Sequence, residues 1–126
     1  ARSNARHENR LELSDIFEVA KSHLTENGTL EIIMPFGAYE RLIHLGNKFD
    51  FIPCHTLEVR HTSNQSPLRS IVTFKHRAFS QQRIQKKDSR PLTTTIIVRD
   101  EDNQYHPSFV QLCHEFYLKM PDVVKI

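Results

Sequence analysis

Eight histidines, two cysteines and seventeen lysines and arginines are the side chains with chemical potential in this 126-residue chain. A zinc-type reading of the histidines needs two of them a helical turn apart with a carboxylate partner, as in HxxxH or HExxH. His23, His44, His55, His61, His76, His106 and His114 meet no such spacing, so they read as surface or supporting residues and no metal is expected. Cys113 and His114 are adjacent in a helix-forming stretch, which aims their side chains about 100° apart. A Cys/His nucleophile needs them converging, so Cys113 reads as a packing residue. Cys54 lies far away with no CxxC spacing, and two reduced thiols are expected. The three glycines, Gly28, Gly37 and Gly46, are too scattered for a nucleotide-binding loop, and no Ser/His/Asp set stands out. Basic charge remains. Arg2, Arg6, His7 and Arg10 face the single acid Glu8, and Lys75, Arg77, Arg83, Lys86, Lys87 and Arg90 face the single acid Asp88. Such runs suit phosphate backbones, but a solvated terminus and a mobile surface loop show the same pattern, and both readings stay open.

The elements that would position these residues centre on positions 24–37. Leu24 ends a helix, Asn27-Gly28 supplies a positive-φ turn, and Leu30, Ile32, Ile33 and Met34 form an apolar run. Such a run predicts an interior strand covered by helices on both faces. Upstream, Ser14 is the expected N-cap of a helix carrying Leu13, Ile16, Phe17, Ala20 and Leu24, with Asp15 in its first turn. Downstream, Pro35-Phe36-Gly37 breaks the chain into a helix over 38–48, with Tyr39, Leu42, Ile43 and Phe49 inward and Gly46 suited to close approach to the sheet or to an early helix end. From Phe51 the period becomes two. Leu57 and Val59 share one face of a strand, and Val72 and Phe74 share a face of the next, which begins at Arg69. The turn cluster over 63–67 joins them as an antiparallel hairpin. A β-branched strand over 92–99 follows, then a turn over 100–104. Pro107 then opens a helix with Phe109, Leu112, Cys113 and Phe116 on one face. The class is α/β: a parallel-sheet unit plus an antiparallel hairpin, flanked by helices.

The net charge of +2 singles out no partner. No apolar run nears the ~20 residues of a membrane span, and no secretory signal opens the chain, so a cytoplasmic protein is expected. The arginine-rich start, without Met and without a preceding strand, is expected to continue a longer protein.

Two segments together resemble a known family. Ser3-Asn4-Ala5-Arg6-His7-Glu8 stands ahead of a helix, and Tyr105-His106-Pro107-Ser108-Phe109 runs on to Glu115-Phe116-Tyr117-Leu118-Lys119-Met120. With the segments 24–35 and 69–75, they are similar to the bacterial tRNA (adenine-N6)-methyltransferases that modify the adenine beside the anticodon of a valine tRNA. The resemblance covers nearly the whole chain, and the Phe-Tyr-Leu ending is its most specific part. His106 departs from it, since the family more often has a small hydroxyl residue there, and a weakened cap for the last helix is expected.

The resemblance implies a class I, Rossmann-like, S-adenosylmethionine-dependent methyltransferase whose last strands form a reversed hairpin. Residues 1–126 would be the C-terminal half of that single domain. The glycine-rich cofactor loop, the ribose-holding acid and the Asn-Pro-Pro-Tyr/Phe motif would lie before Ala1, in the missing N-terminal half that binds S-adenosylmethionine. In that motif the Asn side chain and a carbonyl accept hydrogen bonds from the adenine amino group while the aromatic ring stacks on the flipped base. No catalytic or cofactor-binding residue is therefore expected here, and the fragment alone should be inactive. The expected partner is tRNA, contacted by Arg2, Arg6 and His7 directly after the catalytic loop, then by Arg60, Arg69 and Lys75. With one neighbour of the 30–34 strand missing, its apolar edge should associate with the absent half or with a second copy. A stand-alone RNA-binding module without catalysis is the alternative.

Overall fold

A computed structural model describes residues 12–79 and 91–114; Arg2, Arg6, His7, most of the basic 75–90 segment and the Phe-Tyr-Leu ending lie outside the described residues. Helix α1 spans Leu13–His23, with Leu13, Ile16, Phe17 and Ala20 recurring along its inward stripe. Its N-cap is Glu12 rather than Ser14. The reason is local: the Glu12 backbone N–H donates to the Asp15 carboxylate at 3.0 Å, satisfying an otherwise orphan donor from within the first turn.

The Asn27-Gly28 turn also works differently from the expected way. Gly28 has no positive φ. A Cβ there would stand 2.9 Å from Leu24 Cδ2 and 3.2 Å from the Thr25 backbone, so the turn needs the missing side chain and not the left-handed backbone. Among the described residues the left-handed ones are Asp50 (φ 63°) and Asn103 (φ 59°), whose short polar side chains tolerate that region.

Strand β1 (Leu30–Pro35) leads through a 3₁₀ turn, Phe36–Ala38, into helix α2 (Tyr39–Lys48). Strands β2 (Phe51–Arg60), β3 (Arg69–His76) and β4 (Leu92–Ile97) follow, then helix α3 (Pro107–Cys113). The strand order is β1-β3-β2-β4. The predicted hairpin is present: β3 runs antiparallel to β2, and antiparallel to β1 on its other side, while β4 is parallel to β2. β1, β2 and β4 therefore point one way, with the reversed β3 wedged between the first two.

β1 is not an interior strand among the described residues, because its one hydrogen-bonded neighbour is β3. Nor is it covered on both sides. Alternation sends Leu30, Ile32 and Met34 toward α1 and α2, whereas Ile33 on the opposite face is 60% exposed. The core lies on the α1/α2 side: Phe17, Leu42, Phe51, Val72 and Phe74 are fully buried, with Ile32 beside them. Its rings interlock, Phe17 standing perpendicular to Phe74 at 5.3 Å and tilted against Phe51 at 5.4 Å. Gly46 makes the close approach its position predicted; a Cβ would lie 2.8 Å from Phe74 Cε1 and 3.3 Å from Phe17.

α3 docks on β4 through a serine. The Ser108 hydroxyl accepts from the Ile97 N–H at 3.0 Å and lies 3.2 Å from the Ile97 carbonyl, occupying both edge groups of that residue. His106 is an effective cap, contrary to expectation: its Nδ1 accepts from the Ser108 backbone N–H at 3.1 Å. Val110, not Leu112, is the buried residue of this helix; Leu112 is 54% exposed, and Phe109 turns to Tyr105.

Substituting Gly46→Ala should destabilise the protein by about 1–3 kcal/mol, since the added methyl overpacks Phe74 despite the better helix propensity of alanine. Gly37→Ala, with nothing within 4 Å of its new Cβ, should be near neutral. Urea denaturation midpoints of the two variants test this; equal midpoints would show that Gly46 is not a packing requirement.

Candidate nucleic-acid interface

In open sheets of this type, ligands meet the carboxyl ends of the parallel strands. Here that end collects Pro35, Arg60 and Ile97, together with Arg69 at the start of β3. Main-chain bonds lock the rim: Phe36 N–H to the Leu68 carbonyl (3.0 Å), Leu68 N–H to Val59 (2.8 Å), Val98 N–H to Arg60 (2.9 Å) and Arg99 N–H to His61 (2.8 Å).

Of the sequence-predicted contacts, the structure brings Arg60 and Arg69 to this rim. Arg69 is exposed, in register with Pro35 on one side and Val59 on the other, and its guanidinium has no ion pair or hydrogen bond among the described residues. Arg60 is more committed. Its Nη1 donates to the Gln65 carbonyl at 2.8 Å, bracing the 63–67 turn, and its Nη2 lies 3.6 Å from Glu58 Oε2. A partly exposed pair of that kind holds only modest energy, so Glu58 screens the charge without removing it.

Lys75 does not join them. It lies six residues along β3 from Arg69, about 20 Å away at the opposite end of the sheet. Its neighbour across β2 is Ile52. Arg77 is at that far end too, within 3.5 Å of Asn47 Oδ1.

The rim also holds a cluster that the sequence did not announce. Arg99 and Tyr105 face each other across the 100–104 turn as an antiparallel bridge. The guanidinium lies 3.9 Å above the centre of the Tyr105 ring, and Phe109 stands 5.3 Å behind that ring. The turn itself is tied by Asp100, whose Oδ1 accepts from the N–H groups of Asp102 and Gln104, both at 2.9 Å. The available signal was the Asp-rich turn with Asn103 in it, which folds the chain back so that residues six apart meet.

At the other end, a bulge between Pro53 and His55 turns Cys54 so that its thiol donates to the Thr73 carbonyl at 3.3 Å. Burial pushes the Cys54 pKa up, with nearby Lys75 partly opposing the shift. His55 Nε2 meets Thr94 Oγ1 at 2.8 Å. Both cysteines are free thiols. Among the described residues no three His, Cys, Asp or Glu side chains could hold a metal ion, and no helix is long and apolar enough to cross a membrane.

A four-stranded mixed sheet with one reversed strand between parallel neighbours, flanked by helices, is an α/β arrangement consistent with half of a methyltransferase domain. Sequence comparison finds named relatives. No protein-family model matches the chain. Curated relatives do. A protein of Flavobacterium johnsoniae is 28% identical over 119 residues, covering 94% of this chain and 47% of the relative. One of Shewanella frigidimarina is 25% identical, covering 95% of this chain and 49% of the relative. One of Pasteurella multocida is 30% identical over 95 residues, covering 75% of this chain and 35% of the relative. All three are named tRNA1(Val) (adenine(37)-N6)-methyltransferase. The chain is homologous to that family of tRNA (adenine-N6)-methyltransferases, and it spans about half the length of the relatives it matches. The resemblance drawn from the terminal motifs is borne out.

The raised Cys54 pKa fixes a sign. The neutral thiol is the favoured form in the folded chain, so its contribution to stability is complete below the unfolded-state pKa and is lost as pH rises through the folded-state value. In a Cys113→Ser background, iodoacetamide should modify Cys54 more slowly than it modifies the urea-unfolded chain at the same alkaline pH. Removing Lys75 (Lys75→Ala) should slow it further; faster labelling in that variant would contradict the assignment.

Proposed function

We propose that this chain closes the sheet of an S-adenosylmethionine-dependent tRNA (adenine-N6)-methyltransferase, a cytoplasmic enzyme, and supplies tRNA contacts to it. The observation that carries the reading is the match to methyltransferases over 94% of this chain but 47% of the relative. The described residues do not fit the cofactor. Gly28 lies under Leu24, Gly46 lies against Phe74 and Phe17, and Gly37 belongs to a 3₁₀ turn, so none forms a glycine-rich cradle. No step of methyl transfer is therefore routed through these residues, and the chain alone is inactive. S-adenosylmethionine and the target adenine are bound by the remaining polypeptide.

What this chain contributes is positioning. Arg69 and Arg60 sit where the parallel strands end, the place where a substrate bound at that rim presents its backbone. An arginine fork meets phosphate oxygens in pairs, and the contact is sequence-independent and salt-sensitive. Arg2, Arg6 and His7, which lie outside the described residues, are further tRNA contacts in this reading, whereas Lys75 belongs to the opposite end of the sheet. The side of β1 that is unpaired among the described residues is the seat for a strand of the remaining polypeptide, and in isolation the chain pairs there with a second copy.

The full-length protein, incubated with unmodified tRNA1(Val) and S-adenosylmethionine, should yield N6-methyladenine on nucleoside mass spectrometry. No methylated adenine would overturn the assignment. Arg69→Glu should weaken tRNA binding about tenfold or more at low salt, across sequences alike, and shallow the salt dependence by about one charge. The 126-residue chain alone should transfer nothing, and mixing it with the separately produced remainder should restore activity. Tight RNA binding by the chain alone, with no activity in the full-length protein, would instead favour a stand-alone RNA-binding module.

A further inference from the structure

We infer that Arg99, held over the Tyr105 ring, is a recognition residue for an unpaired nucleobase of the bound RNA. The inference rests on the tRNA reading above. The first support is preorganisation. The Arg99 main chain is pinned by its N–H to the His61 carbonyl at 2.8 Å, and the turn after it is closed by Asp100 N–H to Gln104 and His106 N–H to Val98, each also 2.8 Å. The side chain is fixed as well, by the Tyr105 ring at 3.9 Å and by Nη1 donating to the Asn103 carbonyl at 3.2 Å. A guanidinium immobilised before the ligand arrives loses little freedom on binding.

The second support is what remains unused. Nε and Nη2 have no hydrogen-bond partner among the described residues, and together they form the side-on fork that meets two adjacent acceptors. Two acceptors in one plane are offered by a base edge, as in guanine O6/N7, or by a phosphate.

Charge decides between the two. Glu101 and Asp102 are exposed at the tip of the same turn, and Asp100 sits beside Arg99. A phosphate would approach those carboxylates, whereas a neutral base carries no net charge to be repelled. The guanidinium plane adds a stacking surface that single-stranded bases use. Placement agrees: the Arg99 main chain is bonded to the residue that follows β2, at the same rim as Arg60 and Arg69. Phosphate contacts there set register, and a base contact beside them reads one nucleotide.

The test uses the full-length protein and anticodon-loop RNAs of tRNA1(Val), each with one loop nucleotide made abasic. Wild-type binding should fall about tenfold at one abasic position. Arg99→Ala should bind the intact loop about tenfold more weakly and show no further loss at that same position, while keeping wild-type losses elsewhere. Arg99→Lys, which retains the charge but not the fork, should behave like Arg99→Ala. Tyr105→Phe, which keeps the ring under the guanidinium, should bind as wild type and certify that the turn is intact. An equal loss at every position with a shallower salt dependence marks a phosphate contact and overturns the inference, as does full binding by Arg99→Lys or no loss in Arg99→Ala. Wild-type protein that fails to bind the intact loop overturns the tRNA reading itself, and this inference with it. Normal wild-type binding with Arg99 uncoupled from every base overturns the inference alone.

Discussion

Three phenylalanine rings and one glycine set the geometry of this sheet. Phe74 comes from the reversed strand β3, Phe51 from its neighbour β2, and Phe17 from α1, and all three are excluded from water. Each such ring contributes roughly 1.5–3 kcal/mol by burial alone. Gly46 lets α2 descend onto Phe74, so the helix, the strand and the other helix share one contact point. Because Phe74 faces the helices, its alternate neighbours Arg69, Ile71, Thr73 and Lys75 must face the other way. The packing of one face thereby determines which basic residues lie on the opposite side of the sheet, and strand length determines that Arg69 and Lys75 cannot serve one compact site.

The rim is rigid for a different reason. Its apolar residues Phe36, Val59, Leu68 and Val98 are not buried, and the structure substitutes main-chain bonds across loop ends: residue 68 to 59, 36 to 68, 98 to 60 and 99 to 61. Each such bond is worth about 0.5–1.5 kcal/mol net, but their joint effect is positional. They hold Arg60, Arg69 and Arg99 in fixed relation to strand ends, whatever the side chains do. Arg60 spends its donors on its own turn and on Glu58, Arg69 spends none among the described residues, and Arg99 spends one. That gradation separates a brace from a contact residue among three arginines that look alike in a sequence.

Much of the architecture was legible from residue order. The period-two segments after Phe51, the 63–67 turn and the inward set Tyr39, Leu42 and Ile43 all appear as expected, because alternation and helical spacing report directly which face meets the core. The covering of both faces of β1 was misread, since an apolar run looks the same whether its second face is covered in this chain or by other polypeptide. The Ser14 cap failed because Asp15 can satisfy the Glu12 N–H directly, a contest between two good candidates that spacing does not settle. His106 was undervalued because cap preferences are averages; an imidazole nitrogen accepts a backbone N–H when Ser108 is placed to donate it. Arg60, Arg69 and Lys75 could be nominated by charge, but their separation is a property of register. The Arg99–Tyr105 pair was invisible for a similar reason: only the folded turn makes them neighbours.

The serine that α3 inserts at Ile97 makes the two margins of the sheet unequal. Near its carboxyl end β4 already has its outward amide and carbonyl occupied by the Ser108 hydroxyl, whereas β1 has no strand on its outer side among the described residues. Strand addition therefore meets fewer obstacles at β1 than at the Ile97 end of β4.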